Sequence, residues 1–149
     1  MQIAIDLSIE SVKNGGGPFG AVIVKDGKII AQSSNSVTKD NDPTAHAEVN
    51  AIRKASQKLG TFDLSGCEIY SSCEPCPMCL GAIYWAKIDK LYFANTKDDA
   101  KNIGFDDSFI YEEIDKPFYA RKVKTTQMMR DKAIEAFKLW EQKEDKIEY

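Results

Sequence analysis

One histidine, His46, is all the imidazole in this chain of 149 residues, so any imidazole chemistry rests on that one position. Cysteine is sparse as well. There are four, and Cys73, Cys76 and Cys79 fall within one short stretch. Such clustering does not make the disulfide framework of a small secreted domain, and in a reducing compartment it reads as metal binding. Basic charge is not in excess: 20 Lys and Arg against 23 Asp and Glu leave a net charge of −3. A protein that grips a phosphate backbone usually shows a basic patch, so a nucleic-acid partner is argued against. No apolar run approaches the length of a membrane span. Ile3-Ala4-Ile5 is interrupted by Asp6 before a secretory apolar region can form, so the expected location is the cytoplasm. Gly15-Gly16-Gly17-Pro18 is followed by no Gly-Lys-Ser/Thr and reads as a loop rather than a phosphate cradle. There is no internal repeat, low-complexity tract or linker. With 43% hydrophobic and 29% charged residues, the chain reads as one domain, residues 1–149, with its own core.

What is present is a run of short elements. Residues 1–14 carry a broken helical pattern of apolar positions. Ala21-Val22-Ile23-Val24 and Ile29-Ile30-Ala31 flank Asp26-Gly27, a strong hairpin signal. Residues 32–43 are polar and end in an Asn41-Asp42-Pro43 turn. A helix is predicted from about Ala45 to Lys58, with Val49, Ile52, Ala55 and Leu59 on its buried side and Gly60 as its stop. Cys67 to Tyr70 reads as a strand, Pro77 to Ala86 as a helix and Leu91 to Ala94 as a strand, together a βαβ unit with parallel strands. Asp98 to Asn102 and Asp107 to Glu113 read as helical turns, and Arg121 to Gln127 as an edge strand. Met129 to Lys143 is predicted as a helix with Ala133, Ala136, Phe137 and Trp140 on one face. The sum is an α/β layer structure on a mixed sheet.

The chemistry concentrates in two stretches, Thr44-Ala45-His46-Ala47-Glu48 and Ser72-Cys73-Glu74-Pro75-Cys76-Pro77-Met78-Cys79. Pro77 suits the first position of a helix, where a missing N–H costs nothing. Cys76 and Cys79 then lie together near a helix N-terminus, where the positive end of the dipole favours thiolates. With His46 they make a Cys2His set, which leaves a fourth zinc position open to water and so marks a catalytic rather than a structural site. Glu48 is the candidate base for that water. Two other arrangements use the same cysteines. One is a closed structural zinc with Cys73 as fourth ligand, which would need no carboxylate beside the histidine. The other is an iron–sulfur cluster on Cys67, Cys73, Cys76 and Cys79, which the following Leu80-Gly81 fails to support.

His46-x-Glu48 and Pro75-Cys76-x-x-Cys79 match the signature of the zinc nucleobase deaminases, and the chain resembles the cytidine deaminase superfamily. It is more closely similar to bacterial-type guanine deaminases, over nearly its whole length. The shared stretches are Gly17 to Val24, Asn41 to Glu48, Ser72 to Trp85, Gly104-Phe105-Asp106-Asp107-Ser108-Phe109-Ile110-Tyr111, and the terminal Glu148-Tyr149. The resemblance implies a three-layer α/β/α fold on a mixed five-stranded sheet and one Zn2+ per chain. It implies hydrolysis of guanine to xanthine and ammonia, with His46, Cys76 and Cys79 as ligands and Glu48 and Asp107 as catalytic carboxylates. Asn35, Phe19, Ala47, Trp85 and Tyr149 become the expected contacts to a small purine base. Tyr149 takes the place of a lid, and a homodimer is implied, with the C-terminal segment a candidate for exchange between subunits. The rivals are a tRNA adenosine deaminase, for which Lys122-Val123-Lys124 is a thin basic segment, a guanosine or cytosine-type deaminase, and a non-catalytic zinc scaffold.

Overall fold

Asp26 and Gly27 both have positive φ, 50° and 72°, as a two-residue hairpin turn between right-handed twisted strands requires. They join β1 (Gly20–Lys25) to β2 (Lys28–Ser34), paired antiparallel with a register shift between Ile23 and Val24. The structure, a computed structural model, describes all 149 residues, which pack as two compact units, Met1–Asp107 and Ser108–Tyr149.

In the first unit β3 (Cys67–Cys73) runs antiparallel on the other side of β1, with Ala21 opposite Ser71 and Ile23 opposite Ile69. β4 (Lys90–Asn95) adds parallel to β3. The order is β2-β1-β3-β4. The sheet therefore has four strands, not the expected five. Arg121 to Gln127 forms no strand. The Lys122 N–H, which a ladder would need, donates instead to the Glu113 carboxylate at 2.6 Å, and the polar run offers no apolar face to hold it on a sheet.

Helix α1 (Gln2–Lys13) packs on the face of the sheet that Gly20 presents. A Cβ at Gly20 would lie 2.8 Å from Leu7 Cβ and collide with the Ala4 carbonyl, so only glycine allows the helix this close. The neighbouring residues of β1 point to the opposite face, as the two-residue period of a strand requires. There Ala21, Ile23 and Ile69 join Leu64, Cys67, and the helices α3 (Ala47–Leu59) and α4 (Pro77–Trp85) in the core. The buried stripe of α3 is Ala47, Ala51 and Ala55, one turn apart and all small, which brings the helix backbone near the sheet. The predicted stripe agrees in part: Ala55 is buried and Ile52 packs half-buried against the same core, whereas Leu59 is exposed. Gly60, at φ 67°, ends α3. A short α2 (Val37–Asp40) forms within the polar stretch, just before the Asn41-Asp42-Pro43 turn. α5 (Lys97–Asn102) starts at a Thr96/Asp99 capping box.

The second unit holds α6 (Ser108–Asp115), a single 3-10 turn at Phe118–Ala120, and α7 (Arg130–Gln142). No residue of α7 is buried. Its expected apolar face is present in sequence, but Phe137 remains 73% exposed. No helix of the protein is long and apolar enough to cross a membrane.

Candidate active site

Two helix starts meet at the site. His46 is the N-cap of α3, with extended backbone at φ −70°, ψ 155°. Cys76 is the N-cap of α4, at φ −64°, ψ 167°, with Pro77 beginning the helix. Glu48 is the second residue of α3 and Cys79 the third of α4, so both stand in the first turn directly behind their cap residues. The ligand atoms of His46, Cys76 and Cys79 lie within 4.8 Å of one another. His46 Nδ1 is 3.5 Å from Cys76 Sγ and 3.4 Å from Cys79 Sγ. Tetrahedral zinc, with Zn–S about 2.3 Å and Zn–N about 2.0 Å, spaces such atoms about 3.6 Å apart. The donor set and its spacing fit that ion. Both helix dipoles present their positive ends here, which favours the deprotonated thiols a metal needs. The Cys76 thiol is held down at about 4, chiefly by its hydrogen bond with Cys79 and then by His46, with burial opposing. Cys79, beside that thiolate and the buried Glu48, is pushed up.

Cys73 stands outside the cluster. Its Sγ donates to the Thr96 carbonyl at 3.5 Å, and burial, with the charge of Glu48, raises its thiol to about 11. Cys67 and Cys73 occupy opposite ends of β3, about 20 Å apart at the rise of a strand. That separation rules out a cluster held by all four cysteines.

Glu48 is 4% exposed. One oxygen accepts from Ser71 Oγ at 3.0 Å, and the other lies 3.5 Å from Cys79 Sγ. Burial raises its pKa, favouring a group that can both take and return a proton. His46, Glu48 and Cys76 open into a cavity of about 520 Å³, which Phe19, Asn35, Phe105, Asp106 and Asp107 also line. Phe19 and Phe105 meet edge to face, ring centres 5.0 Å apart. Asn35 Oδ1 accepts from the Val37 N–H at 3.2 Å, which orients its amide and leaves the NH2 as its donor end. Asp107 is raised by burial first and by the charge of Cys76 second. Asp106 pairs with Lys101 at 3.2 Å.

Of the residues singled out from the sequence, the fold brings Phe19, Asn35, His46, Glu48, Cys76 and Asp107 to one cavity, with Cys79 beneath it. Ala47 is fully buried, Trp85 is 68% exposed on α4, and neither lines the cavity. Tyr149 belongs to the second unit and is largely exposed. Two residues escaped the sequence reading. Phe105 sits in a quoted stretch but carried no assigned role. Ser71 had a signal: it interrupts the strand row Ile69, Ser71, Cys73 with a hydroxyl where an apolar side chain belongs.

A Cys2His zinc site with a buried carboxylate against it, carried on two helix N-termini over one sheet, defines a zinc-dependent hydrolytic deaminase. Residues 1–95 match the cytidine and deoxycytidylate deaminase zinc-binding region, and the chain belongs to that family. It is 54% identical over 147 residues to a guanine deaminase of Bacillus subtilis, covering 98% of this chain and 94% of that one. The X-ray structure of guanine deaminase from Bacillus subtilis superposes with a TM-score of 0.96 at 54% identity, over 99% of this chain and 95% of that chain. A tRNA-specific adenosine deaminase of Aquifex aeolicus is 38% identical over 124 residues, 83% of this chain and 80% of its own. A guanine deaminase structure from Nitrosomonas europaea gives a TM-score of 0.68 at 36% identity, over 71% of this chain and 62% of that one. The family region contains His46, Glu48, Cys76 and Cys79 and ends before Asp107.

Proposed function

We propose that this protein hydrolyses guanine to xanthine and ammonia, the whole chain acting as one deaminase domain. The observation that carries the reading is Asp107 and the Asn35 amide facing one cavity with the His46, Cys76, Cys79 and Glu48 cluster. Guanine offers N–H donors at N1 and its 2-amino group, and an ionised carboxylate such as Asp107 can only accept. The Asn35 NH2 answers a ring acceptor. Phe19 and Phe105 supply an aromatic wall for a flat base. Likeness along almost the full length to a guanine deaminase supports the same substrate.

Zinc held by His46, Cys76 and Cys79 would supply a water whose pKa is lowered toward about 7. Glu48 accepts one proton from the attacking water and gives it to a ring nitrogen. It then takes the second proton from that oxygen, now bonded to the ring carbon, and gives it to the departing amine, so that the C–N bond breaks, ammonia leaves and a carbonyl remains. Asp107 and Asn35 hold the ring so that the carbon bearing the amine faces Glu48. The buried position of Glu48 keeps its proton from exchanging with bulk water.

Ammonia release from guanine, guanosine, adenosine, cytosine and an anticodon stem-loop decides the substrate. Release from guanine alone is expected. Release from the stem-loop with none from guanine overturns the proposal in favour of tRNA editing.

Asp107→Asn is expected to lower guanine turnover about tenfold or more, the worth of a charge-assisted hydrogen bond in a partly dry site. Asp106→Asn should stay within about twofold, because Asp106 is engaged with Lys101 at the rim. Equal small losses from the two, in side-by-side kinetics, would remove Asp107 from the mechanism.

We extend the α/β fold to a three-layer arrangement, supported by α1 against Gly20 and by α3 and α4 packing with Ala21 and Ile23. A homodimer with exchanged C-terminal segments is supported by α7, whose apolar Phe137 and Leu139 lie exposed in the single chain. In that assembly Ile147 to Tyr149 would close over the purine, with Tyr149 offering a ring and a hydroxyl. Deleting these three residues should preserve zinc content and folding and sharply lower guanine turnover. Full activity of the truncated protein across a substrate titration would leave the tail without that role. Free thiols at all four cysteines suit a cytoplasmic setting.

A further inference from the structure

We infer that Ser71 is a positioning residue for deamination: its hydroxyl anchors one oxygen of Glu48 so that the other does the proton transfer. The inference rests on the assignment of Glu48 as the proton shuttle.

The row of β3 that faces α3 and α4 runs Ile69, Ser71, Cys73, with Ile69 opposite Ile23 and Ser71 opposite Ala21 across the strand pair. Its neighbours in that row, Ile69 and Cys73, and Ala21 across the strand pair are apolar or small, and Ser71 is 1% exposed. A hydroxyl so placed costs free energy unless it is paired. It pairs twice: it donates to Glu48 Oε1 at 3.0 Å and accepts from the Cys73 N–H at 3.5 Å. The second contact leaves the hydroxyl's own hydrogen for the carboxylate.

Glu48 itself sits in the first turn of α3 with a long side chain and three rotatable bonds. A buried carboxylate on such an arm has two oxygens that could exchange places. Ser71 breaks that symmetry. With Oε1 held from the sheet, Oε2 is the oxygen turned to the Cys79 side of the cluster, 3.5 Å from its sulfur. A proton-transfer group must stand within hydrogen-bond reach of the proton it takes, and a misplacement of about 1 Å can cost on the order of 10² in rate. The anchor comes from the sheet and not from α3, so it fixes the carboxylate against the frame that also carries Cys73 and leads into Cys76.

Ser71→Ala removes the anchor while leaving a small side chain that fits the buried row. The expected result is a kcat lowered on the order of 10- to 100-fold, a KM for guanine within about twofold, unchanged zinc content, and a folded protein with a somewhat lower melting temperature, since a buried carboxylate oxygen loses its donor. In the Glu48→Gln background, assayed at high enzyme concentration, Ser71→Ala should produce no further loss, since it acts only through the carboxylate. A crystal structure of the Ser71→Ala protein should show the Glu48 side chain displaced or in more than one conformer. Loss of zinc in Ser71→Ala, a kcat equal to that of the unaltered protein, an undiminished effect in the Glu48→Gln background, or an unmoved Glu48 would each overturn the inference. If the unaltered protein releases no ammonia from guanine, it is the substrate assignment that fails, and the crystallographic comparison still tests Ser71.

Discussion

Glu48→Gln is expected to keep its zinc and its fold and to lose guanine turnover by a factor on the order of 10²–10⁴ or more. The substitution preserves length and shape. The amide oxygen can still accept from Ser71, at the place where Oε1 now accepts at 3.0 Å, so the α3 end has no reason to shift. What disappears is the ability to carry a proton. An amide NH2 would also stand where Oε2 now lies against Cys79, a donor in place of an acceptor. The side chain is 4% exposed, so bulk water cannot readily reach in to replace it. Ammonia release measured beside metal content and circular dichroism separates these effects. Near-normal turnover would mean that the proton passes without Glu48, and the mechanism proposed above would be wrong.

Cys76→Ser should lose both metal and activity, the latter by at least about 10², since even supporting residues around a metal cost 10- to 100-fold. The reason is chemical rather than structural. Zinc binds the soft thiolate, and a serine hydroxyl neither ionises near neutrality nor matches that softness. The hydrogen bond with Cys79 and the neighbouring His46 hold the Cys76 thiol well below the usual thiol range, which favours the thiolate a metal needs. Structurally the change is mild: Cys76 occupies the N-cap of α4, and serine is among the better residues for that place. The helix should therefore survive, and metal loss can be read apart from unfolding. Cys73→Ser is the control. Its sulfur contacts a backbone carbonyl and not the cluster, so zinc should remain at one per chain. Zinc loss from the Cys73 variant would refute the open site and restore a closed one with four protein ligands.

The order in which sequence and structure made the site visible follows from distance along the chain. His46 with Glu48, and Cys76 with Cys79, are pairs within one helical turn. Their geometry is set by local rules: an extended cap residue, proline at the first helical position, one face per turn. The hairpin at Asp26-Gly27 and the stop at Gly60 are local in the same sense, since positive φ is a property of the residue itself. These could be read without a fold. The face that α3 buries could not be read so surely. Val49 and Ile52 look like the centre of the buried face in a periodic pattern, yet the fully buried row is the alanine stripe, with Ile52 packing half-buried beside it, because a close-packed interface selects small side chains where backbones approach.

The sequence by itself determined the candidate ligands and the candidate base, the helices that carry them and the hairpin, all set by residues near one another in the chain. Tertiary structure alone decided that the α3 and α4 starts meet, bringing His46 within 3.5 Å of both thiols from 30 and 33 positions away. It also decided that Ser71, paired to β1 in an antiparallel register, reaches Glu48, and that Asn35, Phe19, Phe105 and Asp107 share one cavity. It gave the sheet four strands, because Glu113 takes the N–H that a fifth would have needed at Lys122. Each of these depends on contacts between distant segments, whose free energy comes from burying surface that no short stretch of sequence buries alone.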